Sequence, residues 1–403
     1  TEFAKQVLER GLATAERELA DDPEAHALVL KQIGEIYFRL GLPDDYLRVV
    51  RRRVAVLEAF GAAEVDTLID ARLALGQALG DSSSPDDRPL AKPYLEETLQ
   101  LANVRGASAP QRVWALALLA DDHRSNKRLE PARQYADQAV ALAESELPDP
   151  HPILAAAHHA VAVVARDQGR FPAARAAFTR ALAIDATGNG RGHVDQAGTL
   201  VGLANLEYDS GDYLSAKETA IRLIEFSEQQ MGDSAINMAA AHRLAVFSAE
   251  RSGEFDEAQR LADKYLANDL IAPQPTRAGA AYMALGRVAM SRGDLMGAER
   301  ALGQADELLS KNTLWAGRAA ALRAELALRQ GNPQNAIALL TPIRERQLSA
   351  FGADSAELAA TDEWLGVSLA RTGDRAAATL RMTNSCRLRA LIRTPEHPQR
   401  IRC

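Results

Sequence analysis

Six glycines set a register along this chain: Gly169, Gly211, Gly253, Gly293, Gly331 and Gly373 follow one another at 42, 42, 40, 38 and 42 residues. Each separates two stretches with apolar residues three or four apart, and alanine stands five places after it, at Ala174, Ala216, Ala258, Ala298, Ala336 and Ala378. Such a layout reads as helix, tight turn, helix. Glycine supplies the left-handed backbone that ends the first helix, and the small alanine lets the second helix cross it closely. A period of this length marks a repeat array. One unit cannot bury its apolar face alone, so stability comes from stacking on the next.

The register extends toward the amino terminus. Lys127 lies 42 residues before Gly169, and Gly41 lies 86 before Lys127, which leaves room for one further unit. That unit holds Leu75-Gly76 and a second-helix run Leu90–Ala102, interrupted by Asp81–Asp87. The expected organisation is an amino-terminal helix and cap over 1–26, about nine repeats over 27–389 and a basic tail over 390–403. Prolines at unit boundaries or helix turns (Pro43, Pro148, Pro150, Pro273, Pro333) fall where a missing N–H is tolerated. Pro93 and Pro342 fall inside second helices and call for a first-turn position or a kink.

Composition agrees with an array. The 403 residues would otherwise suggest two or three globular domains, but alanine supplies much of the apolar content and aromatic residues only 5%. A net charge of −7 argues against a nucleic-acid surface over the whole molecule. No apolar run reaches the roughly 18 residues of a membrane span; the longest candidates, such as Ala115–Ala120, are core-helix sized. The chain opens at Thr1 without methionine, as a piece of a longer protein would, and it is expected to be extracytoplasmic only if a membrane helix precedes residue 1. Cys386 and Cys403 make no framework and no metal site.

These residues resemble the tetratricopeptide repeat family. Its first-helix Leu-Gly pair appears as Ile33-Gly34, Leu75-Gly76, Leu285-Gly286 and Leu365-Gly366, beside the turn glycines and second-helix alanines. The usual unit is about 34 residues; a 42-residue unit is similar to the lengthened repeats of kinesin light chains. The resemblance implies an all-α, right-handed superhelical solenoid of about nine helical hairpins that binds proteins or peptides along a concave groove. The opening stretch, Val7–Gly41, resembles the start of repeat regions in bacterial proteins with an amino-terminal effector, either a Ser/Thr protein kinase or a winged-helix transcription regulator. That implies a regulatory or sensor region of a larger signalling protein, kinase-linked first. The alternative is a small-ligand or signal-peptide sensor region of a winged-helix regulator.

In this family first helices line the groove. Aligning them on the Leu-Gly position places His159, Arg166, Asn205, Tyr208, Arg243, Glu250, Arg287, Arg318 and Glu325 there as candidate partner-binding residues. Mixed charge with Asn and Tyr suits a polar, partly extended peptide; the competing reading is a set of solvated helix faces. The paired Lys and Asn of chaperone-binding relatives are missing, so capture of a chaperone tail is not expected. No cofactor or metal is expected: adjacent His158 and His159 point about 100° apart on a helix, and the phosphate-loop look of Gly188–Gly192, near His193 and Asp195, lacks a preceding strand. Asp121-Asp122-His123 has no nucleophile beside it, so no catalysis is expected. Arg48, Arg51 and Arg52, and the arginines from Arg381 to Arg402, read as capping charge, with docking to an acidic partner or membrane surface as the other reading.

Overall fold

The computed structural model describes residues 2–60, 65–82, 84, 86–187, 196–229, 235–267 and 275–392. Among them every regular element is helical. In chain order these are α1 (Glu2–Glu18), α2 (Pro23–Arg39), α3 (Pro43–Phe60), α4 (Val65–Asp81), α5 (Ala91–Arg105), α6 (Ala109–Ser125), α7 (Leu129–Glu146), α8 (Pro152–Asp167), α9 (Phe171–Thr187) and α10 (Gln196–Ser210). There follow α11 (Tyr213–Gln229), α12 (Ala235–Arg251), α13 (Phe255–Leu266), α14 (Pro275–Arg292), α15 (Leu295–Leu309), α16 (Thr313–Arg329), α17 (Pro333–Phe351), α18 (Ala356–Thr372) and α19 (Arg375–Ile392). After the lone α1, the helices run as nine consecutive pairs. None of the described helices is long and apolar enough to cross a membrane.

The turn between pair members is as the glycine register requires. Gly41, Gly169, Gly211, Gly253, Gly293, Gly331 and Gly373 all have φ between 68° and 92°. Lys127 takes the same conformation, with φ 61°, and is the one non-glycine at positive φ among the described residues. The residue after the turn position donates its N–H to the carbonyl five residues back: Arg128 to His123 at 2.8 Å, Asp212 to Glu207 at 2.9 Å, Glu254 to Ala249 at 2.9 Å and Asn332 to Ala327 at 2.8 Å. This 6→1 bond satisfies a carbonyl that a helix end would leave open.

Close approach follows. Ala132, Ala174, Ala216, Ala258, Ala298 and Ala336 are wholly buried. On the facing helices a Cβ at Gly286 would lie 2.6 Å from Leu302, and one at Gly366 would lie 2.7 Å from Met382, so the second-helix side chain occupies the space a side chain there would need. Clusters then join one pair to the next. Val113 and Leu116 of α6 pack with Ile153 and Leu154 of α8 and Ile184 of α9, and Ala324 and Leu328 of α16 pack with Leu340 of α17 and Leu365 of α18. Trp114, Trp315 and Trp364 edge these clusters, as packing residues should. Pro93 falls in the first turn of α5, whereas α17 runs on through Pro342.

The chain divides into two compact units. The first is Thr1–Asp167 with Phe171–Gly202 and Ser227–Asn237, and the second is Gln168–Arg170 with Leu203–Phe226 and Met238–Cys403. In the first, the basic face of α3 is neutralised. Arg48 pairs with Glu9 and Asp45, Arg51 with Asp87, and Arg52 with Glu16. In the second, Arg381, Arg387 and Arg389 pair with Asp362, Asp354 and Glu363. Where described, both basic patches are thus largely paired with acids of the same chain; Arg393, Arg400 and Arg402 lie outside the described residues. Cys386 is disulfide-bonded, and the chain's other cysteine, Cys403, also lies outside them.

The turn chemistry gives a test. Lys127→Gly removes the left-handed penalty and should raise unfolding free energy by up to about 1 kcal/mol, while Gly169→Lys should lower it by a similar amount. Ala298→Leu overpacks a helix crossing and should cost about 1–3 kcal/mol. Urea denaturation monitored by circular dichroism measures all three.

Candidate functional site

The first helices of the pairs expose a narrow stripe. In α10, between positions 197 and 208, the residues that are not buried are Gly198, Val201, Asn205 and Tyr208. In α12, between 241 and 250, they are Arg243, Phe247 and Glu250. Spacings of three and four keep these side chains on one helix face. The other positions of these two stretches are buried in the packing, so within them this stripe is the accessible face. Eight of the nine candidate residues are half-buried in this manner and Arg318 is exposed.

His159 and Arg166 belong to the first unit and are already engaged there. His159 meets the Thr199 hydroxyl at 3.4 Å and sets its edge against Phe178, with ring centroids 5.7 Å apart. Burial pushes its pKa down to about 4. Arg166 binds Asp167 at 2.9 Å, and Asp167 also receives Arg124 at 3.2 Å, which holds Asp121 as well. This polar ladder ties α6 to α8. Its neighbours separate as helix geometry demands: His158 turns toward Glu144, Asp122 accepts from Asn126 and Arg128, and His123 stacks on Tyr135 at 5.3 Å. No group of three or more His, Cys, Asp or Glu able to hold a metal is present among the described residues. The stretch 188–195, with His193 and Asp195, lies outside them.

The other seven candidates belong to the second unit, where five of them share one electrostatic neighbourhood. Glu250 of α12 accepts from the Arg287 guanidinium and the Ser291 hydroxyl of α14, each at 2.7 Å, and Arg287 also lies 5.0 Å over the Phe247 ring. Tyr208 packs edge-on against Tyr213 at 5.3 Å, and Arg251 reaches the Tyr213 hydroxyl at 2.9 Å. Burial pushes the Tyr208 phenol up, against the pull of Arg287 and Arg251. Arg318 lies 4.8 Å over Trp315. Glu325 is apart from this group, bound to Arg329 of its own helix at 2.8 Å. Arg243 has neither hydrogen bond nor ion pair among the described residues. Burial, and then the like charge of Arg318, depress its pKa below the ordinary arginine value.

Phe247, Ser291 and Trp315 were absent from the residues read off the sequence. Phe247 occupies the same register as Asn205 and Arg287, and that alignment could have found it. Ser291 and Trp315 act through contacts that no spacing announces.

Helical pairs, a left-handed turn and an accessible first-helix stripe define a helical repeat protein of the tetratricopeptide class. The model of the MalT-like TPR region family matches residues 125–380, and the chain belongs to that family. No curated protein matches it. Among solved structures it is similar to a Rap protein complexed with Competence and Sporulation Factor, at 15% identity and TM-score 0.57, covering 91% of this chain and 100% of that one. It is similar also to the apo form of the quorum sensor NprR from B. thuringiensis, at 12% identity and TM-score 0.58, covering 86% and 97%. A third is the Rap conjugation gene regulator of plasmid pLS20 in complex with the Phr* peptide, at 12% identity and TM-score 0.52, covering 89% and 96%. At these identities the likeness is one of fold.

Four histidines give the fold a pH dependence. Burial lowers the pKa of His26, His123, His158 and His159, the last from 6.5 to about 4. Between those values the unfolded chain binds a proton that the folded His159 refuses, so the histidine contribution to stability is fully present above about pH 6.5 and is lost as pH drops toward 4. Thermal melts across pH 4–7 should show this loss, and His159→Gln should flatten the slope; an unchanged slope would contradict the assignment to His159.

Proposed function

We propose that this chain is a peptide- or protein-binding scaffold whose ligand lies along the first-helix stripe of the second unit. The observation that carries the reading is the composition of the accessible positions. Asn205, Tyr208, Arg243, Phe247, Glu250 and Arg287 combine amide, hydroxyl, guanidinium and ring on a surface whose flanks are closed by packing. Asn amides can bond a peptide backbone, arginine forks take carboxylates, and rings give apolar anchor. Two of the similar structures hold peptide or factor ligands, as described above, and this supports the same use here.

The setting we propose is the regulatory or sensor region of a larger bacterial signalling protein, linked to a Ser/Thr kinase. The support is the resemblance of the opening Val7–Gly41 stretch to repeat regions that follow such effectors. A second reading is favoured by the peptide-bound and quorum-sensing relatives of the same fold: the sensor region of a winged-helix regulator, closing on a signal peptide. Small-angle scattering with and without selected peptides separates a static scaffold from a closing sensor.

A random-peptide display selection against the chain tests the stripe. Peptides recovered by the wild-type protein should bind at least tenfold more weakly to the Arg243→Glu, Arg287→Glu double variant, since each lost charge-assisted bond is worth about 1.5–3 kcal/mol. Affinity equal to wild type, in a variant whose circular dichroism is unchanged, would remove the stripe from the account.

A further inference from the structure

The helix α1 belongs to no pair and is fastened to the first unit more by charge than by packing. Among its described side chains only Leu12 and Ala15 are buried, whereas α3 buries Leu47, Val49, Val50, Val54, Val56 and Leu57. Leu12 packs with Leu30, Ile33 and Tyr37 of α2 and Val49 of α3, and Leu8 is partly buried beside it. The approach is loose. A Cβ at Gly11 would lie 3.6 Å from Ile33, an ordinary contact distance, against the 2.6 Å that Gly286 leaves to Leu302. Between α1 and α3 runs a groove of about 900 Å³, walled by Glu9 and Glu16 on one side and by Arg48 and Arg52 on the other.

Ion pairs span this groove. Lys5 of α1 holds Asp45 of α3 at 2.8 Å, Glu9 holds Arg48, and Glu16 holds Arg52 at 3.5 Å. Glu9 also accepts from the Tyr37 hydroxyl of α2 at 2.8 Å. The side chains of both arginine pairs are about half exposed. Exposed pairs contribute little each and are screened by salt. Elements with few buried apolar contacts open at lower free energy than the packed core around them. What holds α1 also defines what could take its place: two acids seven residues apart, with leucine between them, on one helix face.

We propose that α1 is a detachable strap over a helix-binding face of α2 and α3, and that the partner displacing it is an acidic amphipathic helix. Undocking uncovers Leu30, Ile33 and Tyr37 and leaves Arg48 and Arg52 without the acids of α1. The incoming helix supplies the same acid, leucine and acid. This surface belongs to the first unit and does not depend on the reading of the first-helix stripe in the second.

Two measurements on the full chain test the strap. In the first, hydrogen exchange is followed by mass spectrometry in about 0.05 M and about 1 M sodium chloride. Amides of α1 should exchange about threefold or more faster at the higher salt, and likewise in Arg48→Gln with Arg52→Gln, while those of α2 and α3 keep their rates. Unchanged exchange in α1, or acceleration shared by α2 and α3, overturns the strap. In the second, a fluorescent synthetic peptide copying Glu2–Glu18 is titrated with the chain and its anisotropy is read. Saturable binding is expected. It should be about tenfold weaker for a peptide carrying Glu9→Lys and Glu16→Lys, and that peptide should recover affinity for a chain carrying Arg48→Glu and Arg52→Glu. Leu12→Ala in the chain, which loosens the resident strap, should strengthen binding of the unaltered peptide by about tenfold. Absence of saturable binding overturns the docking face. Equal binding of both peptides to both chains overturns the choice of an acidic partner.

Discussion

Everything in this chain depends on how closely the two helices of a pair approach. A residue at positive φ turns the backbone back on itself within the length of one 6→1 hydrogen bond, and a wholly buried alanine five places later lets the second helix lie against the first. Larger side chains at the crossing would move the helices apart and open the clusters that bind one pair to the next. Lys127 shows that the conformation itself is what the turn needs, since the chain adopts it even where lysine bears the steric cost.

Close packing on three sides determines what the fourth can do. The first helices are left with a stripe one or two side chains wide, and its residues differ in what holds them. In the first unit the stripe is committed: His159 packs on Phe178, and Arg124, Arg166, Asp121 and Asp167 bind one another. In the second unit Glu250 and Arg287 are likewise committed, whereas Arg243 makes no hydrogen bond or ion pair among the described residues.

Much of this could be read before the structure. The glycine register gave the pairs, the alanine offset gave their crossing, and the substitution of Lys127 into the register was visible from spacing alone. The accessible stripe also followed from register, because positions three and four apart share a helix face. Charge pairing was hidden. Arg287 meets Glu250 from 37 residues away, Lys217 meets Glu254 from 37, and Arg124 meets Asp167 from 43. Such partners sit about one repeat apart, but many acids do, and only packing selects among them. The same is true of the arginines at either end, whose internal partners Glu16, Asp87 and Asp354 carry no mark in the sequence.

A thiol-reactivity scan along α12 tests the central claim most directly, using single cysteines at 241 through 250 in a chain freed of Cys386 and Cys403. Rapid modification at 243, 247 and 250, with protection at the positions between, is the pattern that a packed helix with one open stripe requires. Uniform reactivity, or an exposed face centred on 245 and 249, would mean that α12 does not pack between its neighbours in this way.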